Sequence, residues 1–253
     1  MNVVVCVKQV PDPNSAGQLD PATNRLKRDG VEVVLDPGDE YGIEAGLQLA
    51  EKSGGQVTVV SMGPEKAMDA IRKALAMGAA KGVLISDDNL AGSDALTTAK
   101  ILAAAIKREE FDLVVAATES TDGYTGVVPQ MLAELLGVPS VTFAKHVEVD
   151  GSTLKVNRQT EAGYDVVEAD LPAVLSVTAG VFEPRYPSLK GIMAAKSKPV
   201  DKLTAADLGV DAKPGEQVVS VQPAEERKAG EIVEDDGTGA QRIVDFLAAQ
   251  KVI

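Results

Sequence analysis

The residues with the richest potential chemistry lie in one loop, residues 118–126, which reads TESTDGYTG. Its hydroxyl groups and two glycines directly precede a predicted helix. Glycines let backbone amides approach an anion closely, and the N–H groups at a helix N-terminus favour negative charge. The loop therefore predicts a phosphate cradle. A simpler interpretation is that Thr125 or Asp122 only caps the helix. Neither a G-x-G-x-x-G fingerprint nor a Walker loop occurs in the chain.

Other polar or small residues follow the ends of predicted strands. Residues 8–12 (KQVPD) follow the first strand, and residues 62–64 (MGP) follow the second. In an open parallel sheet, ligands bind beyond the carboxyl ends of the strands. We therefore expect these segments and the 118–126 loop to share one edge of a sheet.

Candidates for catalysis are few. His146 alternates with apolar neighbours in a strand-like run, and Cys6 lies within a strand, where a buried thiol behaves as a small apolar group. The backbone of Cys6 could still touch a ligand. Asp87, Asp88 and Glu161 are expected to be solvated. Because no acid/base pair or nucleophile triad can be named, the sequence predicts a protein that holds a nucleotide and is not an enzyme.

Composition excludes several classes of protein. The 253 residues carry 25 Lys and Arg against 38 Asp and Glu, a net charge of −13, whereas a general nucleic-acid binder needs a basic surface. One Cys and one His exclude a disulfide framework and a metal site built from several such ligands. No apolar run approaches the roughly 18 residues of a membrane span, and the N-terminus looks like a strand, so we expect a cytoplasmic protein without membrane insertion.

Strand and helix patterns alternate along the first two thirds of the chain. Short apolar runs typical of buried strands occur at 2–8, 57–61, 83–86, 112–117 and 172–177. Segments with helical spacing occur at 39–52, 65–77, 93–109 and 125–137. This alternation predicts an α/β fold with a parallel sheet covered by helices on both faces.

Several segments interrupt or follow this pattern. A DG turn within 19–35 predicts an inserted hairpin, and turn signals within 141–171 predict an antiparallel meander. We therefore expect a nucleotide-binding domain over 1–180, a recognition loop over 181–200, and a C-terminal part over 201–253. Within that last part, residues 211–239 are polar and acidic and are predicted to form an arm, followed by an amphipathic helix over 240–251.

The segment 183–198 (EPRYPSLKGIMAAKSK) combines apolar and basic residues. Leu189, Ile192 and Met193 recur at helical spacing, and Arg185 precedes them between two prolines. On an acidic protein, such a patch suits the docking of a partner. The alternative is that the apolar stripe packs back onto the domain.

These motifs together resemble the β subunit of electron-transferring flavoprotein. The resemblance rests on VVVCVKQVPDP, VLDPGDEYGIEAGLQLAE, MGPEKAMDAIRKALAMGA, TESTDGYTGVVPQMLAELLGVP and EPRYPSLKGIMAAKSK, and it covers essentially the whole chain. It implies an adenine nucleotide alpha hydrolase-like fold and a heterodimer with an α subunit that holds most of the FAD. It also implies an AMP buried in this chain. Such carriers pass electrons from flavin dehydrogenases, among them the acyl-CoA dehydrogenases of fatty acid β-oxidation, to a membrane quinone oxidoreductase or another acceptor.

The resemblance also implies site residues. The AMP contacts it implies are Cys6, Asp36, Pro37, Gly38, Asp39, Met62, Ala117, Thr118, Glu119, Ser120, Thr121, Asp122, Gly123, Tyr124, Thr125, Gly126, Val127 and Val128. The implied partner contacts are Arg185, Leu189, Ile192 and Met193, with Leu189 as the apolar anchor and Arg185 or nearby lysines meeting acidic groups. Many relatives have Asn in place of Asp36. Because an acidic side chain near a phosphate would be unfavourable, this carboxylate is expected to bond base or ribose, or to cap a helix. The C-terminal arm and helix are implied to pack on the α subunit.

Three alternatives remain open from the sequence. An electron-bifurcating or nitrogen-fixation type of the same family would bind a second FAD in place of AMP. An ATP pyrophosphatase would carry an SGG loop directly after strand one, whereas Ser53-Gly54-Gly55 precedes strand two here. A stand-alone adenylate-binding regulator would need neither the arm nor the docking segment.

Overall fold

The structure, a computed structural model, describes residues 1–15, 17–222, 230 and 232–253. They form two compact units, Met1–Val219 and Ser220–Ile253. The predicted boundaries at residues 180 and 200 stay a prediction. Part of the predicted 211–239 arm, residues 223–229 and 231, lies outside the described residues.

The first unit contains the strands and most of the helices. Its strands are β1 Val3–Cys6, β2 Gln9–Pro11, β3 Leu19–Asp20, β4 Arg25–Leu26, β5 Val33–Leu35, β6 Val57–Met62, β7 Lys81–Ile85, β8 Leu113–Ala117, β9 Ser140–Asp150, β10 Thr153–Thr160, β11 Gly163–Asp170, β12 Ala173–Val177 and β13 Val200–Leu203. Its helices are α1 Pro37–Ser53, α2 Met68–Met77, α3 Ala95–Ile106, α4 Val128–Leu136, α5 Leu189–Ala195 and α6 Ala205–Leu208.

Within the described residues, nine strands form one sheet in the order β11-β10-β9-β12-β8-β1-β6-β7-β13. The strands from β9 to β13 in this order run parallel to one another, whereas β10 and β11 are antiparallel additions at one edge. The α/β class and the antiparallel meander are therefore confirmed. The edge strand β13 lies in a segment for which the sequence predicted no strand.

Successive residues of each central strand face opposite sides of the sheet, so the fold has two apolar cores. Val3 and Val5 of β1 lie in the core with α1 and α2. Val4 and Cys6 lie in the core with α3 and α4. Because both faces are covered, the central strands are largely apolar, and this is the pattern by which the sequence predicted them.

The chain reverses direction across the sheet next to β1. From β1 it proceeds through β6 and β7 on one side, and then returns to β8, which pairs with β1 on the other side. Such a switch point opens a crevice at the carboxyl ends of the two flanking strands, because their connections leave in opposite directions. Those ends are Cys6 in β1 and Ala117 in β8.

The inserted hairpin is present, but its turn is not where the sequence placed it. β3 pairs with β4 across residues 21–24, where Asn24 has a φ of 54° and the Asp20 carboxylate accepts from the Ala22 amide at 2.9 Å. Both features favour a turn here, because an Asp side chain can bond to the amide two residues on and Asn tolerates a positive φ. The predicted DG turn instead precedes β5, which pairs with β2.

The second unit contains helix α7, Gly239–Ala249, which confirms the predicted terminal helix within one or two residues at each end. Its apolar side chains Ile243, Val244 and Phe246 are exposed. Across the described parts of both units, we find no helix that combines the length and apolarity needed to cross a bilayer.

Candidate functional site

Three predicted contact residues lie at the ends of neighbouring strands. Cys6 ends β1, Ala117 ends β8 on one side, and Met62 ends β6 on the other. Met62 packs against the apolar core that contains Cys6. Burial, and secondarily the Asp39 carboxylate, raise the pKa of the Cys6 thiol to about 12, so the sulfur stays protonated. A protonated, buried thiol is a packing group rather than a nucleophile.

Asp36 joins the start of α1 to the loop after β8. It is the N-cap of α1, and its Oδ1 accepts from the Gly38 amide at 2.9 Å. Its Oδ2 accepts from the amide and the hydroxyl of Thr121 at 2.7 and 3.1 Å. Of the roles considered for Asp36, helix capping is therefore confirmed. The carboxylate also fixes the position of the loop, which sequence reasoning missed.

The beginning of α1 approaches β8 very closely. A Cβ on Gly38 would lie 3.3 Å from the Ala117 Cβ and 3.3 Å from Asp36 Oδ1. Pro37 precedes it at the first helical position, where its missing N–H costs no hydrogen bond. The Asp36-Pro37-Gly38 sequence thus brings the N-terminus of α1 to the switch point.

Asp39 is a buried acid at the same place. Its side chain accepts from the Lys8 amide at 2.7 Å, and the residue is 6% exposed. Burial, followed by the nearby Asp36 carboxylate, raises the pKa of Asp39 well above its usual range. Protonation of this side chain would lower the negative charge around a bound phosphate.

Asp122 anchors two cations over the loop. Its carboxylate is 2.6 Å from Lys8 Nζ and also pairs with Arg28, while its own side chain is only 5% exposed. Burial opposes ionisation, but Lys8 and Arg28 outweigh it and hold the pKa of Asp122 below its usual range. The alternative in which Asp122 caps α4 is therefore wrong: the carboxylate turns to the cations instead.

Lys8 and Arg28 were not among the predicted site residues. Lys8 lies two residues after the end of β1, in the 8–12 segment that was expected at this edge, so its position was a usable signal. Arg28 reaches the site only because the inserted hairpin folds back, where its guanidinium also donates to the Gln9 carbonyl at 3.2 Å. Nothing in the local sequence indicates that contact.

The loop itself has an unusual backbone. Tyr124 has a φ of 49° and is largely exposed, and Gly126 has a φ of 63°. Val127 occupies the N-cap of α4 and offers no side-chain acceptor to its first amides, so Thr125 does not cap the helix either. The remaining predicted loop residues Thr118, Glu119, Ser120 and Gly123 lie between β8 and α4, and Val128 is the first residue of α4. The structure thus brings the predicted AMP contacts together at one edge of the sheet.

The docking segment, which we define as residues 183–198, forms α5 and its flanks. Leu189 is 78% exposed, Ile192 47% and Met193 61%. The stripe therefore does not pack back onto the domain, in contrast to the alternative interpretation. Ser188 caps α5 by accepting from the Gly191 amide at 3.0 Å.

Arg185 is engaged within the chain. Its Nε lies 2.8 Å from Glu44 Oε2 and its Nη1 lies 2.6 Å from Glu51 Oε1, both on α1. Sequence reasoning expected Arg185 to meet acidic groups of a partner. The structure places acidic groups of this chain there, and a partner contact of Arg185 stays a prediction.

Lys198, one of the lysines near the docking stripe, is also engaged within the chain. Lys198 Nζ donates to the carbonyls of Leu75 and Ala79 at 2.9 and 2.7 Å, at the end of α2. Arg72 of α2 donates in return to the carbonyls of Ala195 and Lys198 at 2.5 and 3.0 Å. Each helix thus has its C-terminal carbonyls satisfied by a cation from the other segment.

The SGG sequence lies at the opposite edge of the sheet. Gly54 is the left-handed C-cap of α1, and Ser53 Oγ accepts from the N-terminal ammonium of Met1 at 2.9 Å. This is the amino edge of the strands, where parallel sheets do not bind ligands. The motif is a helix-ending turn, which agrees with the sequence argument against an ATP pyrophosphatase.

Comparison with known proteins gives a consistent result. The electron transfer flavoprotein domain matches residues 23–208. The chain is 44% identical to the electron transfer flavoprotein subunit beta of Mycobacterium tuberculosis, covering 100% of this chain and 99% of that protein. It is 40% identical to the subunit of that name from Thermoanaerobacterium thermosaccharolyticum and 35% identical to that from Bacillus subtilis, with 100% of both chains covered in each comparison.

Proposed function

The chain belongs to the electron transfer flavoprotein family as a β subunit, and from this premise we propose that it is the nucleotide-holding and docking half of a heterodimeric carrier. In this proposal it pairs with an α subunit that holds most of the FAD, and the FAD carries the electrons. The β chain contributes a scaffold, a structural AMP and the segment that captures a dehydrogenase.

The observation that carries the AMP proposal is the convergence at the switch point. The end of β1, the start of α1, the end of β6 and the 117–128 loop come from four separate parts of the sequence and meet at one edge. This is the edge at which open α/β sheets bind nucleotides.

The residues present fit an adenylate. A Cβ on Gly123 would lie 3.1 Å from Ser120 Oγ and 3.9 Å from Lys8 Nζ, so a side chain there would take space beside a hydroxyl and a cation. Backbone amides of the loop and the N-terminus of α4 suit a phosphate, and Lys8 and Arg28 offset part of its charge. Asp36 keeps the loop in place through Thr121.

AMP in this role is a permanent structural part. Near Cys6, Asp36 and Asp39 we find no pair of groups arranged as nucleophile and base, and the Cys6 thiol is protonated. Among the described residues, moreover, there is no cluster of three or more His, Cys, Asp or Glu side chains that could hold a metal ion. The chain's own groups position and enclose the nucleotide, and bond cleavage is not assigned to them.

The docking part of the proposal rests on the exposed stripe of α5. Leu189 inserts into an apolar pocket of the dehydrogenase, an acyl-CoA dehydrogenase being the first candidate, and Ile192 and Met193 enlarge the contact. A small, exposed apolar cluster on a charged surface is typical of an interaction site. A membrane quinone oxidoreductase or another acceptor then takes the electrons from the carrier.

The nucleotide content of the heterodimer tests the AMP proposal. The chain is expressed together with a matching α subunit, the complex is purified and denatured, and the released nucleotides are identified by mass spectrometry. We expect one AMP and one FAD per heterodimer. Two FAD would place the protein in the bifurcating type, and a complex with FAD alone would refute the AMP site.

A variant pair assigns the AMP to the loop. Thr125→Glu adds a carboxylate at an exposed loop position, and we expect the AMP content to fall at least about tenfold, because like charges repel at short distance. Gln56→Glu adds the same charge at the exposed amino end of β6 and is expected to keep full AMP content. Equal AMP in both variants would place the nucleotide elsewhere.

A further inference from the structure

The docking segment is held to α1 by an ion pair whose carboxylate is buried and whose guanidinium is partly exposed. The Glu44 side chain is only 4% exposed, and its two oxygens accept from Arg185 Nε at 2.8 Å and Nη2 at 3.0 Å. The Arg185 amide also donates to Glu44 Oε2 at 3.2 Å. Planar, two-point contacts between guanidinium and carboxylate fix orientation as well as distance.

Glu51 extends this pair into a clamp. It lies about two helical turns after Glu44 on α1, and its oxygens accept from Arg185 Nη1 at 2.6 Å and Nη2 at 3.1 Å. All three nitrogens of the guanidinium are thus engaged by α1. Burial opposes ionisation of Glu44, yet hydrogen bonds from Arg185 and Gln48 hold the pKa of its carboxyl below the usual range.

These contacts disfavour a turn of Arg185 toward a partner. If the guanidinium left α1, the Glu44 carboxylate would keep only uncharged partners, the Gln48 side-chain amide at 2.9 Å and the Arg185 backbone amide at 3.2 Å. Removing one member of a buried ion pair is strongly destabilising, because the remaining charge is uncompensated. The exposed cations of the docking segment are Lys190 and Lys196 instead.

The far end of the docking segment is fixed to α2. Lys198 and Arg72 cap each other's helices through backbone carbonyls, as described above. In addition, a Cβ on Gly191 would lie 2.4 Å from the Ala76 carbonyl oxygen, so α5 touches the backbone of α2 directly. The stripe of α5 is therefore presented from a platform that is attached at both ends.

We propose that Arg185 is a positioning residue: through Glu44 and Glu51 of α1 it fixes the docking segment so that Leu189, Ile192 and Met193 face the partner in a preformed arrangement. This inference rests on the proposed docking function. A preformed segment loses less conformational freedom on association, and the affinity gain appears without any contact between Arg185 and the partner.

The test uses the purified heterodimer and an acyl-CoA dehydrogenase with its acyl-CoA substrate. Flavin reduction is measured over a range of heterodimer concentrations for Arg185→Gln, Arg185→Lys and Glu44→Gln. For Arg185→Gln we expect the KM for the heterodimer to rise roughly tenfold, which corresponds to about 1.4 kcal/mol, with kcat and FAD content unchanged. Arg185→Lys keeps the charge, so its KM should lie between those of the wild type and of Arg185→Gln. Lys107→Gln, an exposed charge at the end of α3, is the neutral control.

Glu44→Gln separates positioning from direct contact. The Glu44 side chain is too buried to meet a partner, so a rise in KM similar to that of Arg185→Gln supports positioning. The double variant is then no worse than Arg185→Gln alone, because that substitution already removes the guanidinium contacts to both Glu44 and Glu51. Hydrogen exchange of residues 183–195 becomes faster in all three clamp variants and not in the control.

Two outcomes overturn the inference. The first is a raised KM for Arg185→Gln together with a wild-type KM for Glu44→Gln and unchanged hydrogen exchange of the docking segment. Arg185 would then contact the partner itself. The other is an unchanged KM in both variants although Leu189→Ala raises it, which would leave the docking function intact and remove the positioning role. A normal KM for Leu189→Ala would instead refute the docking function.

Discussion

At the scale of single residues, three acids of the candidate site have three different tasks. Asp36 caps α1 and holds Thr121, Asp122 pairs with two cations, and Asp39 is buried beside the Lys8 amide. They have the same chemical group, and only their surroundings distinguish them. The negative charge of these acids, which would be unfavourable near a phosphate, is thus mostly compensated by hydrogen bonds and ion pairs.

Replacing Asp39 by Asn should stabilise the folded chain at high pH. The pKa of Asp39 is raised in the folded state, so ionisation costs stability as pH rises above the unfolded value of about 4, and the cost is complete above the folded pKa. An Asn oxygen can still accept from the Lys8 amide. We expect the melting temperature at pH 8 to rise by about 2–4 °C, corresponding to roughly 1 kcal/mol, with the difference vanishing near pH 4.

Thermal unfolding of the full chain at both pH values measures this effect. Asp165→Asn, at an exposed position of β11, serves as the control and should change little at either pH. An Asp39→Asn variant that is less stable than the wild type at pH 8 would show that the site needs the ionised carboxylate.

Leu189 is expected to matter for docking and not for folding. Because its side chain is 78% exposed, Leu189→Ala should change the free energy of unfolding by less than about 0.5 kcal/mol. Loss of an anchor that fills a partner pocket typically costs about 2 kcal/mol of binding, so the KM for the dehydrogenase should rise more than about tenfold at constant FAD content. Leu19→Ala, on the hairpin and 45% exposed, is the matched control and should leave the KM unchanged.

At the scale of elements, α1 connects the two regions of interest. Its N-terminus, capped by Asp36, lies at the nucleotide edge, while Glu44 and Glu51 hold the docking segment. The helix can serve both because small residues allow it to lie close against the sheet. Gly42 faces β1 and β8, Gly46 faces β1 and β6, and both glycines are buried.

These two glycines give a matched pair of predictions with opposite signs. A Cβ on Gly42 would meet Val115 Cγ1 at 3.7 Å, an ordinary contact, so Gly42→Ala should stabilise the chain by about 0.5–1 kcal/mol through helix propensity. A Cβ on Gly46 would lie 2.8 Å from Val5 Cγ2 in the packed core, so Gly46→Ala should destabilise it by about 1–3 kcal/mol. Urea unfolding of both variants is the measurement, and equal signs would refute the packing argument.

At the scale of the whole molecule, the chain divides into a large unit with both cores and a small C-terminal unit, Ser220–Ile253. Helix α7 exposes several large apolar side chains to water, among them Ile243 and Phe246. This is more exposed apolar surface than a single helix normally has. We expect this unit to pack on the α subunit, as proposed for the C-terminal part of the chain.

Truncation separates folding from assembly. A variant that ends at Val219 should unfold cooperatively near the wild-type temperature, because both cores lie before that residue. Its affinity for the α subunit should fall at least about tenfold, measured by titration or by size-exclusion chromatography of the mixture. A variant that ends at Lys251 is the control and should assemble normally. A stable heterodimer without residues 220–253 would contradict the proposed role of the C-terminal unit.

The sequence by itself determined the fold class, the order of the central strands and helices, and the loop that forms the candidate cradle. These follow from local patterns: apolar runs mark strands covered on both faces, and Gly- and Asp-rich turns mark their ends. The resemblance to a known family added the list of site residues. Only the tertiary structure decided that Arg28 reaches Asp122, that Arg185 turns to Glu44 and Glu51, and that Lys198 caps α2. Those pairings join residues far apart in the chain, and no local periodicity records which charged side chain meets which, because that choice depends on how whole elements pack together.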